Sequence, residues 1–304
     1  MKPGILYIWL IVDGKKGHES QSEGLAKGLS EIYRISVKKV SIERSLISFC
    51  VNVNLAKRRD KEIYPNIVIG TGRQTHWPLL FCKKIFGSLS ICLMKPSIPT
   101  NWFDLCVVPR HDGLGEGPNV FVTEGPINLM EYSKEKNSEE GLILVGGESG
   151  HYKWENDLVL SQVKEAINSS QDVSWTISDS RRTPERFRKV LTDIDLPKTK
   201  YIPCAETKSS WLVKKLKSSN YVWITPDSVG MIYEALSSGA LVGTFLLREK
   251  RSSRVTKNLD YLIETGWIRT IQSNNWQPSK LLDERARTAK HIKTKWAHLS
   301  CMAK

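Results

Sequence analysis

Residues 5–29, "ILYIWLIVDGKKGHESQSEGLAKGL", decide how the rest of the chain is read. Residues 5–12 are continuously apolar, far short of the roughly 20 that span a bilayer and suited to a strand buried on both faces. Asp13-Gly14 then ends the run as a turn does, not as a small-residue cleavage site, so no signal peptide is expected. Past the turn, Leu25, Leu29, Ile32 and Tyr33 recur at helical spacing, which predicts a helix laid with one face on a sheet. Strand, turn and helix in that order open a βαβ unit.

The pattern repeats. "RISVKKV", "NIVIG", "LSICLM", "DLCVVP" and "NVFVT" alternate with amphipathic stretches as far as residue 126, where "GPINLMEYSKEKNSEE" turns polar and charged. A second series opens at "GLILVGG", with a helix carrying Leu158, Val163, Ala166 and Ile167. It continues through "SWTISDS", a helix begun by Thr183-Pro184, "YIPC", a helix from Trp211 to Lys217, "YVWITPDS", a helix through Glu234, and "LVGTFLL". At 304 residues the chain exceeds one comfortable core. The expected organisation is an α/β domain over 1–126, a linker over 127–140, a second α/β domain over 141–280, and the basic helix "LLDERARTAKHIKTKWAHL" within a tail over 281–304.

Composition narrows the function. Hydrophobic residues make up 40% and charged residues 25%, which excludes extended disorder. A net charge of +13 favours anionic partners such as phosphates or an acidic membrane surface. Six cysteines without a CxxC pair lie mostly in or beside apolar runs, as reduced core residues of a cytoplasmic protein do. "HESQ" lacks the second histidine of HExxH and no His/Cys cluster has ligand spacing, so no metal is called for. No recognised nucleic-acid motif is present, and no nucleic-acid partner is expected.

In parallel sheets, ligands bind beyond the carboxyl ends of the strands, so the loops there come first. They are conspicuously polar: "DGKKGHESQ", "GTGRQTHW", "PRHDGLGEG", "GGESGHYKW", "SDSRRTPE" and "TPDSVG". In the last, Asp227 or Ser228 is placed to cap a helix whose free N–H groups make an anion site, with Glu234 about two turns along and near a ribose. Gly146 and Gly147 would let backbone approach a ligand, Ser149 offers a hydroxyl, and Arg181 and Arg182 precede a helix as oxyanion ligands. Asp13, His18, Glu19, His111 and Asp112 are the acid or base candidates.

"WLIVDGKKGHESQSEGLAKGL", "GTGRQTHWP", "LVGGESGHYKW", "SDSRRTPE" and "TPDSVGMIYEA", in this order, resemble the mitochondrial-fission ELM-like proteins. That resemblance implies the GT-B glycosyltransferase architecture: two Rossmann-like domains facing across a cleft, with a C-terminal helical tail that often returns to the first domain. It implies a nucleotide-sugar donor as substrate, bound by Gly146, Gly147, Ser149, Ser178, Arg181, Ser228, Val229, Gly230, Met231 and Glu234, with no cofactor required. The acceptor, a lipid-linked or envelope glycan, would lie against Glu19, Gln21, Arg73, His111 and Asp112, with Asp13 or His18 as base. Peripheral contact with an anionic membrane goes with this reading. Two other functions fit the same architecture: a non-catalytic adaptor in membrane fission, and a sugar-nucleotide epimerase. One departure is "ALVGTF" after Gly239, where such enzymes often carry a Pro-containing loop, and it leaves the donor open.

Overall fold

The computed structural model describes residues 4–42, 48–50, 64–273, 281–297 and 299. Its contacts divide the chain into two compact units, Met1–Leu129 with Asp283–Lys304, and Met130–Leu282.

The first unit runs β1 (Leu6–Val12), α1 (Lys16–Ser30), β2 (Ile35–Ser41), β3 (Ile67–Thr71), α2 (His76–Phe86), β4 (Leu89–Leu93), β5 (Leu105–Pro109) and β6 (Val120–Thr123). Its six strands pair in the order β2-β1-β3-β4-β5-β6, every pair parallel. The apolar runs read from sequence are the inner strands, and β3, β4 and β5 are buried along their whole length. The edge strand β2 instead exposes Val37, Lys38 and Lys39, and edge lysines discourage pairing with another chain. Leu25, Leu29 and Tyr33 pack into the core on one side of the sheet, as the helical spacing predicts.

The second unit contains β7 (Asn137–Leu144), α3 (Asn156–Asn168), β8 (Ser174–Ser178), α4 (Glu185–Thr192), β9 (Thr199–Tyr201), α5 (Ser209–Ser218), β10 (Ser219–Ile224), α6 (Val229–Ser237), β11 (Leu241–Thr244), α7 (Arg254–Glu264) and β12 (Arg269–Thr270). The order β12-β11-β10-β7-β8-β9, again all parallel, is the doubly wound dinucleotide-binding order. The last helix, α8 (Glu284–Lys295), belongs to the first unit, where it packs along α1 and buries Ala289 and Ile292.

Three expectations shift. Residues 137–140, assigned by their polarity to a linker, begin β7, because the solvent-exposed start of a strand carries the same residue types as a loop. Leu158 is exposed and its neighbour Val159 is buried in its place. Within the tail, Leu282 packs into the second unit's core, and helix starts at Glu284.

Candidate functional site

In each sheet the strand order reverses beside the first strand, between β1 and β3 in one unit and between β7 and β10 in the other. Such reversals splay the following loops apart and leave a crevice beyond the carboxyl ends.

In the second unit a cavity of about 350 Å³ opens there. Of the expected donor residues, Gly146, Ser178, Arg181, Ser228 and Met231 line it. Cys204, Thr207, Trp211 and Leu212, from the β9–α5 connection and α5 itself, close its apolar side. Sequence reasoning missed these four. "YIPC" was read as a strand, whereas β9 ends at Tyr201 and Cys204 stands just beyond it, and Trp211 read only as a helix residue.

Charge is arranged closely around this cavity. Asp179 is buried, with Oδ2 2.7 Å from Arg188 Nε and Oδ1 accepting the Cys204 N–H at 2.6 Å. Arg182 reaches the other way, its Nη2 2.8 Å from Asp227 Oδ2 and 3.1 Å from the Ser228 hydroxyl. Burial, then the Asp179 charge, pushes the Cys204 thiol up, and the same two causes push Tyr201 up to about 12.

Gly147, Ser149, Val229, Gly230 and Glu234 lie outside the cavity lining. The space over the two glycines is already filled: a Cβ at Gly146 would meet the Asp227 carboxylate, and one at Gly147 the Arg182–Thr183 backbone. Their smallness therefore makes room for these neighbouring loops, while Gly146 also lines the cavity. The Ser149 oxygen accepts the N–H groups of His151 and Tyr152, tying its own turn. Glu234 is half-buried on α6, and burial raises its carboxyl pKa.

The first unit's crevice gathers a different set. His18 Nδ1 lies 2.8 Å from Asp13 Oδ2, and the Asp13 side chain is only 1% exposed while that of His18 is 29% exposed. A proton on Nδ1 satisfies the buried carboxylate and leaves the Nε2 lone pair free, the arrangement of an oriented general base. The imidazole rests on Gly72, whose backbone has φ +91° and ψ 161°. Nearby, the Ser22 hydroxyl bonds that of Thr71 at 2.9 Å, fastening α1 to the end of β3.

The remaining acceptor-side candidates scatter. Arg73 is exposed in the short turn leading into α2, and Gln21 sits one turn beyond His18 on α1. Glu19 instead pairs with Lys39 of β2 at 3.5 Å. Asp112 is buried and accepts the Lys95 N–H at 3.3 Å, and His111 precedes it in the same turn after β5.

Residues 16–296 match the family described as mitochondrial fission ELM1. The chain belongs to that family. An uncharacterized Rickettsia prowazekii protein is 23% identical to this ELM1-family chain, the match covering 76% of this chain and 81% of that one. Among solved structures, a Listeria monocytogenes protein assigned as UDP-N-acetylglucosamine 2-epimerase superposes with a TM-score of 0.55 at 11% identity, covering 98% of this chain and 91% of the other. A second UDP-N-acetylglucosamine 2-epimerase gives 0.50 at 12% identity, covering 98% and 90%. At such identities the likeness speaks for the fold alone, and the fold of this ELM1-family chain is of the GT-B type.

Proposed function

We propose that the protein is a glycosyltransferase that moves a sugar from a nucleotide-sugar donor to a hydroxyl of a lipid-linked or envelope glycan. The observation that carries this reading is the cavity of the second unit, which joins an apolar wall with Trp211 to Arg181 and the first turn of α6. A nucleoside suits the wall, and a diphosphate suits a guanidinium and unsatisfied helical N–H groups.

In the reaction, His18 Nε2 takes the proton of the acceptor hydroxyl while Asp13 stabilises the resulting imidazolium. The acceptor oxygen attacks the anomeric carbon, and the bond from that carbon to the diphosphate breaks. The departing diphosphate keeps the electron pair and is stabilised by Arg181 and the α6 amides. A single displacement of this kind inverts the anomeric centre.

An acidic membrane surface is the proposed setting for the acceptor. No Asp or Glu occurs between Glu62 and Asp104, a stretch that carries Arg73, Lys83, Lys84 and Lys95. Trp77 and Trp102 within it are exposed, their rings 5.8 Å apart. Exposed tryptophan beside cationic side chains suits an anionic lipid interface.

The test is a thermal-shift screen with UDP, GDP, ADP and CMP and their sugar conjugates. A ligand at 100 times its dissociation constant should stabilise the chain by about 2.7 kcal/mol. The reading expects selective stabilisation that Arg181→Ala removes and His18→Ala keeps, followed by sugar transfer that His18→Ala abolishes. Conversion of the nucleotide sugar with no acceptor present would make the protein an epimerase, and the absence of any shift would leave the adaptor role.

A further inference from the structure

One carboxylate in the second unit holds a position that its surroundings prepare for a phosphate. Asp227, in the turn between β10 and α6, has a fully buried side chain. Its Oδ2 draws Arg182 Nη2 at 2.8 Å, the Gly147 N–H at 3.2 Å and the Ser228 hydroxyl at 3.4 Å. A guanidinium, a backbone amide and a serine hydroxyl are the donors a phosphate oxygen would recruit. The second oxygen, Oδ1, is buried without a hydrogen-bond partner. The carboxylate is pressed so closely on Gly146 that a side chain there would displace it.

The consequence is a charge count. Arg181, Arg182 and Arg188 all belong to this region, but Arg188 is matched by Asp179 and Arg182 by Asp227. Among the described residues, Arg181 is left as the guanidinium of the cavity with no carboxylate beside it. A diphosphate esterified at both ends carries one negative charge fewer than the free nucleoside diphosphate, whose terminal phosphate would gain most from an additional cation.

We infer that Asp227 is a specificity-determining residue that neutralises and fixes Arg182, itself part of the cavity wall, so that the pocket retains a nucleotide sugar without clamping the nucleoside diphosphate left after transfer. This rests on the nucleotide reading of the same cavity and adds to it the basis for product release. Asp227 acts through Arg182 and is a positioning residue, not a catalytic one.

The experiment measures dissociation constants by calorimetry for UDP, UDP-N-acetylglucosamine and inorganic pyrophosphate. The proteins are the full chain, Asp227→Asn, and the Asp227→Asn/Arg182→Gln double variant. Asparagine keeps the shape and an acceptor for the Gly147 N–H but frees Arg182. Asp227→Asn is expected to tighten UDP and pyrophosphate by about tenfold, equivalent to about 1.4 kcal/mol, and UDP-N-acetylglucosamine distinctly less. The double variant, with a neutral pair, should return the ratio of the two nucleotide affinities to that of the parent. A loss of affinity for all three ligands alike, or an unchanged ratio in all three proteins, would overturn the inference while leaving the nucleotide reading intact. If none of the three proteins binds a nucleotide, the nucleotide reading fails and the inference falls with it.

Discussion

A methyl group at position 72 would lie inside the His18 imidazole, and the backbone there occupies a region that essentially only glycine adopts. Gly72→Ala should therefore cost about 1–3 kcal/mol of strain. It should also push His18 off Asp13, so that transfer falls with the nucleotide affinity of the second unit unchanged; urea unfolding and a binding titration check the two halves separately. Cys204 provides a second probe, since it lines the cavity while Cys82, Cys92 and Cys106 are fully buried. Slow alkylation of Cys204 is expected, and bound nucleotide should protect it, as mass spectrometry of the tryptic peptide would show. "DGKKGHESQ" revealed Asp13 and His18 because a loop after a buried strand has no structural need for such side chains. That the two form one pair, with His18 the exposed partner, depended on side-chain packing. What fills the space above Gly146 and Gly147 was hidden for a related reason: it is decided by residues far away in sequence, here Asp227 and the Arg182–Thr183 turn.

Helices and strands were the most legible part of the chain, since period and length separate them, and the errors have local causes. On α3 the buried residues are Val159, Val163, Ala166 and Ile167, whereas Leu158 stands five before Val163, a spacing that does not share a helix face. Val159→Ala should cost about 2 kcal/mol in lost burial and residual cavity. Leu158→Ala should stay within about 0.5 kcal/mol, as chemical denaturation of both variants would show. Lys136 ties two helix ends, donating to the Leu216 carbonyl of α5 at 2.5 Å and to the Ser238 hydroxyl after α6 at 3.1 Å. Burial lowers its ammonium to about 8 from the ordinary 10.5. The charged form is the one that burial penalises, so the cost is fully present below pH 8. It fades between about pH 8 and 10.5, where the unfolded chain binds more protons than the folded one. Relative to Lys136→Met, the parent protein should thus gain stability across that window and not below it, as paired melting curves would record.

Over the whole molecule, two sheets of parallel strands were readable from alternating patterns, while the allegiance of the last helix came from the family resemblance and not from its own residues. The resemblance implied a last helix returning to the first domain, and the α8 side chains that hold it there are the small and apolar ones, Ala289 and Ile292, set against α1, not the basic ones its composition puts forward. At Gly28 the close approach leaves no room for a side chain beside Arg285. A chain ending at residue 282 should consequently lose the cooperative unfolding of the first unit while residues 130–282 retain theirs. Calorimetry would then show one transition where the full chain shows the contributions of both units. The same connectivity gives protein synthesis a peculiar schedule. The earliest strands emerge from the ribosome long before α8, and at ordinary elongation rates the gap is on the order of tens of seconds. By the end of that interval the second unit has all its parts, while the first still lacks α8. The face of α1 destined for α8 waits uncovered, and a nascent-chain chaperone would find its binding surface there.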